Sequence, residues 1–249
     1  ELGRLEARHA TIEEISLIHD ENYIRRVLAT RDRDFTQLDS DTGANRFTWE
    51  ASQLAAGASI VCAENVLDGK YRNAFAFVRP PGHHAEKDRA KGFCFFNNSA
   101  IAAEWLIKMR GLERVAVIDF DVHHCNGTQQ AFYDRDDLLV ISAHRYPFYP
   151  GTGMEKEVGE GKGLGFTCNF PLEVGADDDD YSRVFENIAE KVIRYEPQFI
   201  VVSAGYDSHR DDPIGGMRVT TSGFRRMMRD IVSMANECCE GRLIATLEG

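Results

Sequence analysis

The stretch Val115-Ala116-Val117-Ile118-Asp119-Phe120-Asp121-Val122-His123 begins as an apolar run and ends in alternating polar side chains. Alternate side chains of a β-strand point to the same side, so a strand here would place Asp119, Asp121 and His123 together. Continuous apolar runs are typical of parallel sheets, whose carboxyl ends open into the crevice where α/β proteins bind ligands. The stretch therefore indicates a buried strand that ends in a metal site.

Three other segments share this construction, an apolar run closed by a reactive group. They are residues 74–78, which lead through Arg79-Pro80-Pro81-Gly82 into His83-His84, residues 138–143, which end in His144, and residues 199–205, which end in Tyr206-Asp207. Any one such residue is more often a cap or a satisfied polar group. Four such ends in one chain favour a shared site.

Asp121, His123 and Asp207 would together supply two carboxylates and one imidazole. This set leaves coordination positions for water and substrate, as in catalytic zinc sites rather than closed structural ones.

The tandem His83-His84 need partners if they are to act as acid and base. Asp119 and Asn126 lie close enough in sequence to serve. A carboxylate partner and an amide partner would give the two rings different basicities, and such a difference separates a general base from a general acid.

Six segments between the strands have the length and pattern of helices: residues 11–30, 48–68, 99–109, 128–133, 181–195 and 222–239. Strands that alternate with helices of this length predict a parallel sheet covered on both faces. The 249 residues suit one such domain, residues 1–249, or most of one. We therefore predict an α/β fold with three layers, α/β/α, around a central, mostly parallel sheet.

The net charge of −11 argues against direct binding of nucleic acid and favours cationic partners. The densest acidic block, Asp177-Asp178-Asp179-Asp180, is interpreted as a solvated loop or a helix start.

The six cysteines form no CxxC pair, which favours a reducing compartment. No apolar run has the length of a membrane span and no signal peptide is visible, so we expect a cytoplasmic protein without a membrane partner and leave a homo-oligomer open.

Five motifs, in order, resemble the zinc-dependent histone deacetylase family in the broad sense that includes bacterial deacetylase-like amidohydrolases and acetylpolyamine amidohydrolases. They are Arg79-Pro80-Pro81-Gly82-His83-His84-Ala85, Gly92-Phe93-Cys94-Phe95-Phe96-Asn97-Asn98, Val117-Ile118-Asp119-Phe120-Asp121-Val122-His123-His124, Asn126-Gly127-Thr128-Gln129 and Ser203-Ala204-Gly205-Tyr206-Asp207. The resemblance implies an arginase/deacetylase-like fold and zinc-dependent removal of acyl groups from acylated lysine or polyamine amines.

The resemblance also implies a role for each matching residue. The zinc ligands are Asp121, His123 and Asp207, the acid/base pair is His83 and His84, and their partners are Asp119 and Asn126 respectively. Asparagine at position 126 resembles the class II and bacterial branch, because an aspartate is usual in class I.

The family's acyl channel has aromatic walls, which Phe93, with Gly92 before it, and Tyr149 match; such an apolar channel suits the methylene stem of an acylated amine. Asp41 is a candidate for the rim, where it would bind the substrate's backbone or amine, although it also reads as a loop acid or a helix cap. A K⁺ ion would use Asp119, Asp121, His123, Ser142 and Ala143, and a second one would use carbonyls near Phe132, Arg135 and Leu138.

Three features depart from the family pattern. Cys125 stands where a glycine is usual, either as a tolerated buried thiol, which we favour, or as an oxidisable group. The sequence begins without the family's first strand, and it ends at Leu247-Glu248-Gly249 before the family's catalytic tyrosine. We therefore expect one catalytic domain that is truncated at both ends.

Two other functions stay open. A dinuclear manganese ureohydrolase would add carboxylates from Asp211-Asp212-Pro213, but His83-His84 and Phe93 fit an amidohydrolase better. A non-catalytic acyl-lysine binder would keep the pocket without turnover, and the intact ligand and histidine positions argue against it.

Overall fold

The computed structural model describes residues 2–249 as one six-stranded sheet, one two-stranded hairpin and seven α-helices. Along the chain the elements are α1 (Ile12–Ile15), α2 (Glu21–Leu28), β1 (Thr36–Asp39), β2 (Thr42–Ala44), α3 (Thr48–Leu67), β3 (Asn73–Ala76), α4 (Asn98–Lys108), β4 (Val115–Asp119), α5 (Asn126–Phe132), β5 (Leu138–Arg145), β6 (Thr167–Leu172), α6 (Asp178–Tyr195), β7 (Phe199–Ala204), α7 (Thr221–Cys238) and β8 (Leu243–Leu247).

All strands of the main sheet are parallel, in the order β3-β8-β7-β4-β5-β6. Strand β4 lies between β5 and β7, so Asp119 at its end is aligned with Ser142 on one side and Ser203 on the other. The carboxyl ends of these three strands therefore meet at one edge of the sheet. The predicted parallel sheet is confirmed.

Each face of the sheet has its own apolar core. On β4, Val115 and Val117 belong to the core under α3 and α4, whereas Ala116 and Ile118 belong to the core under α6 and α7. All four side chains are fully buried. Because successive strand residues face opposite sides, an uninterrupted apolar run is what a sheet covered on both faces requires. The three predicted layers, α/β/α, are present.

Some elements differ from the sequence prediction. The segment predicted as one helix over residues 11–30 forms α1 and α2, with residues 16–20 between them. The hairpin β1-β2 and the edge strand β6 were not predicted. Helix α6 begins at Asp178 rather than at residue 181, because Asp177 and Asp180 form a capping box at its start. The acidic run is thus a helix start.

Among residues 2–249, no helix combines the length and the apolar character needed to cross a bilayer. All six cysteines are free thiols.

Candidate active site

Asp121, His123 and Asp207 come together at the carboxyl edge of the sheet. Asp121 and His123 follow β4, and Asp207 follows the neighbouring β7. One ligand atom from each lies within 4.8 Å of the other two. His123 Nδ1 is 2.9 Å from Asp121 Oδ1 and 3.1 Å from Asp207 Oδ2. The fold therefore assembles the ligand set expected from the sequence.

Asp121, His123 and Asp207 are called the metal cluster because they could hold one metal ion. Backbone amides orient both of its carboxylates. The Val122 amide donates to Asp207 Oδ1 at 2.9 Å. The His123 amide donates to Asp121 Oδ1, and the Gly249 amide donates to Asp121 Oδ2, each at 2.9 Å. The ligand oxygens are thus held by the chain itself, which is a preorganised arrangement for a cation.

The carboxylates around this cluster are crowded and buried. Burial raises the pKa of Asp119 and of Asp207 to about 6, and that of Glu248 to about 7. Burial acts on Asp121 too, but His83 and His123 outweigh it and hold the pKa of Asp121 below its usual range. A bound cation would relieve this crowding, and carboxylate oxygen with imidazole nitrogen is a donor set that suits Zn²⁺.

His83 and His84 lie side by side next to the metal cluster. Their ring centroids are 4.0 Å apart, and each residue is 3% exposed. His83 Nδ1 is 3.0 Å from Asp119 Oδ2, and His84 Nδ1 is 2.7 Å from Asn126 Oδ1. The structure thus brings each histidine to the partner expected for it.

The surroundings of the two rings give them different basicities. Burial lowers the pKa of His83, but the negative charges of Asp121 and Asp119 outweigh it and raise this pKa to about 10. Burial also lowers the pKa of His84, and the positive charge of His83 lowers it further, well below 6.5. At neutral pH His84 is therefore the ring that can accept a proton.

Glu248, which the sequence analysis did not select as a site residue, supports the loop that carries the tandem histidines. Its buried carboxylate accepts from the Gly82 amide at 2.6 Å and from the His83 amide at 3.1 Å. The hydroxyls of Ser99 and Ser203 lie 3.4 and 3.2 Å from its other oxygen. Its position directly after the last predicted strand, at the same sheet edge, is the signal that could have found it.

Aromatic rings surround the metal cluster and the histidines. Phe93 is 63% exposed, and Tyr149 packs edge-on against His84 with centroids 5.0 Å apart. Phe148 stacks on the ring of His123, with centroids 5.0 Å apart. Phe148 and Tyr149 thus border His123 and His84.

Gly92 is required by close packing. Its φ is +56°, and a Cβ at this position would lie 2.2 Å from His84 Cδ2. A larger residue would displace His84.

Asp41 lies in the turn between β1 and β2 and not at a helix start. Its Oδ1 accepts from the Gly92 amide at 3.1 Å and from the Thr42 hydroxyl at 2.7 Å. Thr42 Oγ1 in turn accepts from the Phe93 amide at 3.1 Å. Burial raises the pKa of Tyr149, and the nearby Asp41 carboxylate adds to this shift. The hairpin therefore fixes the Gly92-Phe93 segment.

The residues expected to bind K⁺ fall into two groups. Asp119 and Ser142 are aligned on β4 and β5, and Ala143 follows on β5. The Ser142 hydroxyl lies 2.9 Å from His144 Nδ1. The residues of the second expected site, Phe132, Arg135 and Leu138, lie along the connection from α5 to β5.

His144 and Cys125 are both fully buried. His144 Nε2 donates to the Gly153 carbonyl at 2.9 Å, so this ring supports the loop of residues 147–153. Cys125 has a φ of −78°, which any residue can adopt, and burial raises the pKa of its thiol. The turn accepts the side chain, as expected for a tolerated buried thiol.

Residues 1–249 match the family described as Histone deacetylase domain, so the chain belongs to the histone deacetylase family. The chain is 45% identical to the Probable deacetylase of Archaeoglobus fulgidus, over 98% of this chain and 68% of that protein. It is 39% identical to the Histone deacetylase-like amidohydrolase of Pseudomonas aeruginosa, over 99% of this chain and 66% of that protein. The resemblance drawn from the five motifs is confirmed.

A solved structure is similar as well. The fold matches the HDA15 HD domain with a TM-score of 0.93 and 38% identity, over 98% of this chain and 69% of that one. Histone deacetylase 15 of Arabidopsis thaliana is 38% identical, and the chain spans 44% of its length. The chain therefore spans between 44% and 68% of the length of these curated relatives.

Proposed function

We propose that this protein is a zinc-dependent amidohydrolase that removes acetyl or other acyl groups from acylated lysine or polyamine amines. The observation that carries the proposal is the open metal cluster, Asp121, His123 and Asp207, beside a pair of histidines of unequal basicity. Family membership supports the same reaction class.

When bound, zinc supplies Lewis-acid chemistry that polarises an acyl carbonyl and lowers the pKa of a water. Asp121, His123 and Asp207 would hold the ion. His84, neutral at pH 7, accepts the proton of the attacking water and returns it to the leaving amine. His83, paired with Asp119, carries the positive charge that stabilises negative charge on the reacting oxygen.

The entrance fits an acylated amine with a thin apolar stem. Phe93 and Tyr149 wall the channel, and Asp41 at the rim binds the substrate's backbone or amine. The net charge of −11 favours a cationic substrate such as a polyamine or a lysine-rich peptide.

We also propose a K⁺ site and a cellular compartment for this protein. K⁺ binds at the strand ends around Asp119 and Ser142. The free cysteines favour a reducing compartment, so the protein works in the cytoplasm. The 249 residues form a single catalytic domain, and the net charge of −11 argues against nucleic acid as a partner.

The arrangement gives no support to a dinuclear manganese site. Asp212 Oδ1 accepts from the amides of Ile214 and Gly215, at 2.8 and 2.7 Å, and closes a turn. In residues 2–249 the group that can hold a metal does not include Asp211 or Asp212.

The test is acetate release by the zinc-loaded native protein from three substrates: an acetyl-lysine peptide, an N-acetylpolyamine and a longer-chain acyl-lysine peptide. We expect release from at least one of them, and loss of release after chelation. Retained hydroxamate binding without any release would instead support a non-catalytic acyl-lysine binder.

A further inference from the structure

The hydrogen bond between His84 and Asn126 is part of a longer chain of hydrogen bonds that ends at a carboxylate. Asn126 Nδ2 donates to Glu86 Oε1 at 2.7 Å, whereas Asn126 Oδ1 contacts the His84 ring. Asn126 is buried, and the Glu86 side chain is only 14% exposed. His84, Asn126 and Glu86 therefore form one chain of hydrogen bonds that starts at the site.

Glu86 determines which end of the Asn126 amide faces His84. An amide side chain can present either its oxygen or its NH₂ group to a neighbour. A carboxylate only accepts hydrogen bonds, so it requires the NH₂ group of Asn126. The His84 carbonyl, 3.3 Å from the same NH₂ group, has the same requirement but at a longer distance. The amide oxygen is then left for the imidazole.

This orientation in turn selects the tautomer of His84. An amide oxygen only accepts, so His84 Nδ1 must carry the hydrogen of the 2.7 Å contact. In a neutral imidazole, a proton on Nδ1 leaves Nε2 with a free lone pair. If the Asn126 amide were reversed, its NH₂ group would require the lone pair of Nδ1, and the proton would move to Nε2. The ring could then no longer accept a proton there.

Glu86 is itself held in place. Arg89 Nε lies 3.3 Å from its second oxygen, and Gln130 Nε2 lies 3.4 Å from it. Its carbonyl oxygen contacts the buried His19 Nδ1 at 2.9 Å. These contacts limit the movement of the carboxylate relative to Asn126.

We propose that Glu86 is a positioning residue that, through Asn126, holds His84 as the Nδ1–H tautomer with Nε2 free. The proposal rests on the proposed function, in which His84 is the base. Glu86 itself makes no hydrogen bond with the metal ligands or with the rings of His83 and His84.

The first test compares Glu86→Ala with Glu86→Gln in the zinc-loaded native protein. Loss of an outer partner of this kind typically lowers activity about 10- to 100-fold, so Glu86→Ala should lower kcat by this factor and leave KM nearly unchanged. Glutamine keeps an acceptor but loses the charge, and it should restore kcat to within about fivefold of the wild type.

The matched control is Arg89→Gln. This exposed residue pairs with Glu86 without contacting Asn126, and an exposed ion pair contributes little, so kcat should stay within about twofold. If Arg89→Gln is as damaging as Glu86→Ala, the surface ion pair matters and the proposed orientation of Asn126 is wrong.

The second test reads the tautomer directly and does not depend on turnover. In ¹⁵N-histidine-labelled protein at pH 7, long-range ¹H–¹⁵N spectra should show His84 as Nδ1–H in the wild type and in Glu86→Gln, and shifted toward Nε2–H in Glu86→Ala. An unchanged Nδ1–H signal in Glu86→Ala overturns the proposal even if kcat falls. If the wild type releases no acetate, the proposed function fails, and the ring signals still decide the role of Glu86.

Discussion

His83 and His84 are neighbours in the chain with rings 4.0 Å apart, yet their surroundings differ. His83 Nδ1 contacts a carboxylate, that of Asp119, and a second carboxylate oxygen, on Asp121, lies 3.9 Å from its Nε2. His84 contacts a neutral amide, that of Asn126. Two identical side chains thus obtain opposite pKa shifts from their surroundings. This difference supports the proposal that His83 carries the fixed positive charge and that His84 accepts the proton.

The largest effect is expected when the metal cluster that both histidines face is disrupted. Asp207→Ala should abolish zinc binding and acetate release but leave a folded domain, because an open catalytic site contributes less to folding than a closed structural one. The matched control is Asp211→Ala, since Asp211 is exposed and lies outside the metal cluster. Elemental analysis decides: full zinc occupancy in Asp207→Ala would mean that the ligand assignment is wrong.

The next largest effect is expected when the His84 ring alone is removed. His84→Ala should lower kcat by about 10²- to 10⁴-fold, the usual range for a positioned proton-transfer group, without changing the zinc content. Steady-state kinetics with metal analysis measures both quantities. Near-normal turnover would transfer the role of base to His83 or indicate a mechanism without a protein base.

A smaller effect is expected when His84, like His83, has a carboxylate as its partner. Asn126→Asp places a negative charge at His84 and should raise its pKa, because a carboxylate favours the imidazolium. His84 must be neutral to accept a proton, so the acidic limb of the kcat profile should move to higher pH. Since the new carboxylate would also face Glu86, the change is made together with Glu86→Gln and compared with Glu86→Gln alone. If the acidic limb stays at the same pH, either Asn126 is not the partner of His84 or His84 does not control that limb.

The smallest effect concerns Cys125, the residue just before Asn126. Its buried thiol has a raised pKa and stays neutral near pH 7. Cys125→Ala should therefore change kcat by no more than about twofold, as for a conservative change away from the reacting groups. The wild-type thiol should also react slowly with alkylating reagents. Rapid inactivation through Cys125 would favour the oxidisable interpretation instead.

The parallel sheet could be predicted because an apolar run such as Val115-Ala116-Val117-Ile118 suits burial on both faces. The break between α1 and α2 could not, because it depends on a distant contact. His19 lies in this break, and its two ring nitrogens contact the Glu86 carbonyl and the Asn97 amide, each at 2.9 Å. Edge strand β6 was missed because Asn169 and Pro171 interrupt its apolar pattern.

Within the site, strand-end residues such as Asp121 and Asp207 could be selected because parallel strands bring their carboxyl ends to one edge. The roles of Glu86 and Glu248 could not be predicted, since they depend on pairings between remote segments. Glu248 contacts the Gly82 amide across 166 residues of sequence. Its position after the last predicted strand is the one available signal, and no local pattern distinguishes Glu86 from an ordinary surface acid.

We propose that one zinc ion per chain, held by Asp121, His123 and Asp207, supports hydrolysis of an acyl amide. The most direct measurement is a titration of zinc into the metal-free native protein while acetate release from an acetylated amine is followed. We predict that activity rises in proportion to zinc and reaches its plateau at about one equivalent, as the three-ligand cluster requires. A plateau that needs two equivalents of manganese, or release that is independent of metal, would contradict the account.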